Sequence, residues 1–170
     1  MTIIPDSKDW TWVLAESCPE CGFDASDVDV TRAGQQALEM VPRWRAALAR
    51  PDAAERPDPS TWSVLEYACH VRDVFLLFAE RLRLIRQQDA PEFANWDQDA
   101  TAVQTGYAQQ RPADVAVELS PAAEAFAAEI AAVQDWTRPG RRSNGSAFTA
   151  DSLTRYGLHD LVHHMVDVDA

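Results

Sequence analysis

Between residues 60 and 88 the chain carries an apolar series, Val64, Leu65, Ala68, Val71, Phe75, Leu76, Phe78, Ala79, Leu82 and Ile85, at helical spacing. Such spacing returns side chains to one side of an α-helix, and so broad an apolar face must be buried against other helices. Ser60 or Thr61 is expected to cap this helix, which should end near Gln88, ahead of Pro91. Three further segments share the pattern. One spans about residues 31–50, with Ala37, Leu38, Val41, Trp44, Ala47 and Leu48 on one face and Pro42 as an interruption. Another runs from a cap at Asp114 to about Trp136, with Pro121 as its weak point, and the last from a cap at Thr149 to about Val168. With four substantial helices, no convincing strand and no internal repeat, the expected fold is all-α, a four-helix bundle.

The connections suggest the order of the helices. Residues 92–112 are polar and interrupted, with Phe93, Trp96 and Tyr107 as anchors, Gly106 as a break and a short helix expected near residues 100–108. This is too long for a simple hairpin and permits a parallel return, whereas short loops make neighbours antiparallel. The expectation is an up, down, down, up bundle over residues 30–170. Residues 137–146 read as a loop on turn chemistry. Residues 1–29 read as an irregular arm holding Trp10, Trp12 and the pair Cys18 and Cys21.

Charge narrows the partners. Lys plus Arg number 15 against 27 Asp plus Glu, a formal charge of −12, and no basic stripe offsets it. Nucleic acid is therefore a poor partner. No apolar stretch approaches the ~20 residues that span a bilayer, and the first residues lack the pattern of a signal peptide. Three cysteines fit a reducing compartment better than a disulfide framework, so the expectation is a cytoplasmic chain. A monomer or homodimer is expected, with Trp10, Trp12 and Phe23 covering a groove on their own domain or on a neighbour.

The histidines carry the chemistry. His159 and His163 stand four apart in the last helix, which places both imidazoles on one face where they can converge on one ion. A third ligand must come from another helix, and His70 is the only histidine outside the closing segment. Antiparallel placement of the second and fourth helices brings these positions level. The alternative is that His70 and His159 are core histidines bonded to backbone, with His163 and His164 partly exposed. Glu66, Asp73 and Asp167, at helical spacing from these histidines, are placed to orient ligand imidazoles, or else are solvated charges.

The stretch from Trp62 to Asp73, WSVLEYACHVRD, followed by His159-Asp160-Leu161-Val162-His163-His164, resembles the DinB-like superfamily, including its mycothiol-dependent maleylpyruvate isomerase branch. The resemblance spans residues 31–168. It implies a four-helix bundle of the order argued above and a divalent metal, commonly zinc or nickel, near one end. Carried over position by position, the implied ligands are His70, His159 and His163, while His164 matches no ligand position. Members include thiol-dependent transferases and isomerases, so mycothiol or another low-molecular-weight thiol is the implied co-substrate.

Three histidine ligands leave a coordination position open for water or a thiolate, and the metal could activate either toward a small electrophile. The competing class is a small-molecule or metal-dependent binding protein without turnover. Trp62, Trp96 and Tyr156 are candidate pocket walls, with Arg141 and Arg142 placed to meet a substrate carboxylate. The run Cys18-Pro19-Glu20-Cys21-Gly22 has the spacing of half a zinc site and no second pair downstream. It reads as a packed turn, as a metal half site completed by histidine or another subunit, or as a redox dithiol. Cys69, inside the second helix, is expected to be a buried thiol.

Overall fold

The computed structural model describes residue 3 and residues 9–170. The remaining start of the expected arm, residues 1, 2 and 4–8, lies outside the described residues. Helices α1 (Ala33–Leu48), α2 (Val64–Gln87), α4 (Pro112–Ala131) and α5 (Ala150–Asp167) form the bundle, and the short α3 (Gln98–Gln104) lies in the crossover. The order is the expected up, down, down, up. Helix α4 packs against both α1 and α2, and α5 lies chiefly along α2.

Local chemistry explains where the helices begin. Ser63 caps α2 and exchanges side-chain hydrogen bonds with Glu66 in a capping box, so the helix starts later than Ser60 or Thr61. Thr149 caps α5 in the same way with Ser152. Helix α4 begins at Pro112, where a missing backbone N–H costs nothing, and ends before Trp136. Gly106, at φ +63°, closes α3 and leads into a single 3-10 turn, Tyr107–Gln109. The core contains Trp44, Phe75, Leu82, Tyr107, Leu119, Phe126, Leu153 and Leu158, drawn from all four long helices and the crossover.

The crossover and the loop before α5 are more ordered than expected. Strands β1 (Glu92–Phe93), β2 (Pro139–Arg142) and β3 (Ala147–Thr149) form a small sheet, β1 parallel to β2 and β2 antiparallel to β3. The hairpin turns at Asn144-Gly145, where Gly145 takes φ +98°, a conformation asparagine-glycine turns favour. Strands of two to four residues are too short to show a period, which is why this segment reads as a loop.

The arm is folded onto the bundle. It forms 3-10 turns at Trp10–Leu14 and Ala25–Asp27, and a third turn, Val30–Arg32, leads from it into α1. Val13, Cys18, Phe23 and Ala25 are buried. Arg155 of α5 donates to the carbonyls of Ala25 and Val28, which ties the arm to the last helix.

Candidate metal centre and pocket

Helix α5 presents two i, i+4 pairs offset by one residue, His159 with His163 and Asp160 with His164. An offset of one residue turns a side chain by about 100° around the helix, so the two pairs face different neighbours. Two groups of donor atoms result, each with all its atoms within 4.8 Å of one another: His70, Asp160 and His164, and separately Cys18, Cys21, His159 and His163. The expected set of His70, His159 and His163 is thus divided. His70 on α2 meets the second pair, and the arm meets the first.

In the first group His70 is fully buried, and neither ring nitrogen has a hydrogen-bond partner among the described residues. A core histidine satisfied by backbone is therefore not what the fold holds. Its Nε2 lies 3.6 Å from Asp160 Oδ2, beyond hydrogen-bonding range, and His164 Nε2 lies 3.3 Å from Asp160 Oδ1. Ligand atoms sharing one ion at about 2.0–2.1 Å sit roughly 3.3 Å apart in a tetrahedral arrangement, so these separations fit a divalent metal. His164 Nδ1 is 2.8 Å from Asp167 Oδ2, a carboxylate contact that fixes the ring and leaves Nε2 as the donor facing the group. Asp167 thus orients His164 more closely than His163, whose Nε2 is 3.9 Å away.

Electrostatics agree with a place for a cation. Burial pushes the His70 imidazole below its ordinary pKa. Burial also works against charge on His164, yet Asp160 and Asp167 outweigh it and raise the ring to about 9. Asp160 is held far below the carboxylate range, because His164 and His70 overcome the burial that favours its neutral form. Without metal, a proton on His164 supplies the positive charge that these carboxylates select.

The other expected orienting groups are engaged elsewhere. Glu66 takes Arg56 and Ser63 as partners, because its place at the third position of α2 completes the cap. Asp73 accepts from the Tyr107 hydroxyl of the crossover at 2.6 Å and from Arg72 at 2.8 Å.

A pocket of about 320 Å³ opens beside both groups, and Asp160, His159, His163 and His164 line it. Trp62, Trp96 and Tyr156 also line this cavity. Trp96 stacks on His70 with ring centroids 5.1 Å apart and planes 9° apart, and Trp62 lies against the same ring at 5.4 Å. Arg142 also lines the pocket, over the rings of Phe148 and Tyr156. Arg141 does not. Strand alternation turns it outward to a surface pairing with Glu92.

Sequence reasoning passed over Arg81, Asp160 and His164. Arg81 is buried and lines the pocket, with its Nε unpartnered and one NH2 donating to the Ala94 carbonyl at 2.9 Å. Burial, reinforced by nearby Arg142, pulls its pKa down to about 10. The available signal for Asp160 and His164 was a second i, i+4 pair of ligand-type residues, masked by the more conspicuous pair of histidines beside it. Cys69 is a buried thiol raised to about 12 by burial, as expected for a packing residue.

Among the described residues no helix is long and apolar enough to cross a membrane. No curated protein matches the chain. Its fold is similar to that of YfiT from Bacillus subtilis, described as a probable metal-dependent hydrolase with an unusual four-helix bundle topology. The identity is 17% and the TM-score 0.67, over 80% of this chain and 82% of that one. Residues 33–167, nearly the whole bundle, match the DinB superfamily, and the chain belongs to that family.

Proposed function

We propose that the protein is a metal-dependent enzyme acting on a small anionic electrophile, with the metal held by His70, Asp160 and His164. The observation that carries this reading is the His70 imidazole, buried with both nitrogens unpartnered beside the donor atoms of Asp160 and His164. A divalent ion bound there supplies Lewis acidity, which lowers the pKa of a water or thiol placed against it. Three protein donors leave room for such a nucleophile. Trp62 and Trp96 hold the His70 ring in place and exclude water from its far side.

Arg81 and Arg142 set the substrate class. Both line the pocket, both carry a buried Nε without a hydrogen-bond partner, and among the described residues no carboxylate pairs directly with Arg81, Asp160 and Glu80 acting on it only from a longer distance. A buried guanidinium left in this way is matched by a carboxylate or similar anion on the substrate. YfiT, which shares the fold, is a probable metal-dependent hydrolase, and this favours water as nucleophile. A low-molecular-weight thiol such as mycothiol, giving transfer or isomerisation, is the second reading, favoured by the aromatic walls, which can enclose a larger co-substrate.

The test is metal-dependent turnover. Chelator-treated protein is reloaded with zinc or nickel and incubated with carboxylate-bearing esters, amides and activated alkenes, with and without mycothiol, glutathione or bacillithiol. Products formed only with metal, and lost in His70→Ala, are expected. Metal binding without any product would make this a binding protein, and equal metal affinity in His70→Ala would remove His70 from the site.

A further inference from the structure

The arm brings Cys18 and Cys21 against the α5 face that the first centre leaves unused. With His159 and His163 they form a group of four donor atoms lying within 4.8 Å of one another. We infer that Cys18, Cys21, His159 and His163 form a closed tetrahedral zinc site that fastens the N-terminal arm to α5. This site is separate from the centre of His70, Asp160 and His164 and does not depend on its role.

Geometry is the first support. Cys18 Sγ lies 3.7 Å from His163 Nδ1. Sulfur and nitrogen ligands on one tetrahedral zinc, with bonds of about 2.3 and 2.0–2.1 Å, sit roughly 3.6 Å apart. His159 supplies the second support, since it is only 3% exposed and its Nε2 has no partner among the described residues. Both imidazoles and Cys18 are buried, so this is an interior cluster of ligand atoms and not a surface coincidence.

The turn carrying the cysteines has the form such a site requires. Gly22 takes φ +74° and donates its N–H to the Cys18 carbonyl at 2.8 Å, while the Cys18 N–H donates to the Phe23 carbonyl at 2.8 Å. Trp10 and Phe23 wrap the two rings, with Trp10 5.0 Å from His163 and Phe23 5.4 Å from His159 between centroids.

Charge also balances. Binding releases one proton from each thiol, and two thiolates, two neutral imidazoles and one zinc ion sum to zero, so the site suits its buried position. Four protein ligands leave no coordination position for substrate, which makes the role structural. The consequence reaches the pocket, because Trp10 and Glu20 of the fastened arm form part of its wall.

The test uses untagged full-length protein purified anaerobically, with metal counted by plasma mass spectrometry and the zinc exchanged for cobalt. Two metal equivalents per chain are expected in the wild type. Cys18→Ser/Cys21→Ser should lose one of them, together with the thiolate-to-cobalt charge-transfer band, whereas His70→Ala should lose the other and keep that band. Should the cysteine variant not fold, iodoacetamide footprinting of the unaltered protein decides: Cys18 and Cys21 should be modified only after chelation. Free alkylation of both cysteines in metal-loaded protein, a disulfide between them, or a cobalt form without the thiolate band would overturn the inference. A single equivalent that shows the band and is indifferent to His70→Ala would uphold the zinc site and sink the catalytic centre.

Discussion

His163 and His164 are consecutive on α5 and face different partners. His163 Nδ1 lies 3.7 Å from Cys18 Sγ in the arm, whereas His164 Nε2 lies 3.3 Å from Asp160 and its ring is 4.7 Å from that of His70 on α2. One helical turn thus serves two clusters of different chemistry, one with thiols and one with a carboxylate.

Asp167 tests how His164 is presented. Its carboxylate accepts from His164 Nδ1, and loss of such an orienting partner typically weakens metal binding about 10–100-fold. Asp167→Asn is expected to fall in that range by competition titration against a chelator, with the fold retained. An unchanged affinity would show that the contact does not position the ligand.

Arg81 sets stability against recognition. A buried guanidinium without a direct carboxylate partner is costly, so Arg81→Met is expected to stabilise the substrate-free protein by about 1 kcal/mol, or roughly 2–4 °C in melting temperature. The same variant should raise KM for anionic substrates about tenfold or more while leaving metal content unchanged. A drop in melting temperature with KM intact would make Arg81 a structural residue.

Glu66 gives the fold an acid-sensitive component. Burial favours its neutral form, but Arg56 and Ser63 outweigh that and hold the carboxyl below its ordinary value of 4.5. A carboxyl lowered in the folded state contributes stability that is complete above the unfolded pKa and lost as pH falls through the folded one. Glu66→Gln should cost about 1–2 kcal/mol near neutrality, because one side of the pair remains solvated through Arg56. Urea denaturation from pH 7 downward should show the gap to wild type closing below about pH 4.5. A gap independent of pH would assign the loss to the cap alone.

Gly157 lets α5 pack directly against the Phe78 ring of α2. A Cβ there would meet the Phe78 ring at 2.6 Å. Gly157→Ala is expected to destabilise the protein by about 1–3 kcal/mol through overpacking. Because Asp160 follows one turn later, the variant should also weaken metal binding at the His70 centre. Thermal unfolding and metal titration on the same preparation check both effects.

Much of the bundle was legible in the sequence. The apolar period of the residues from Val64 to Ile85, the proline at 91 and the threonine at 149 act within a few residues of themselves, through hydrogen bonds and packing that repeat with the helix. The same locality made His159 and His163 readable as a pair. What no periodicity carries is which neighbour each helix face meets. Only the tertiary structure separates His70 from His159 and His163, joins it to Asp160 and His164, and folds the arm so that Cys18 and Cys21 reach α5. Those partners are far apart along the chain, and a rotation of α5 by one residue, about 100°, would have exchanged them. Local chemistry supplied the ligand residues, while helix rotation and the docking of the arm decided how they are grouped.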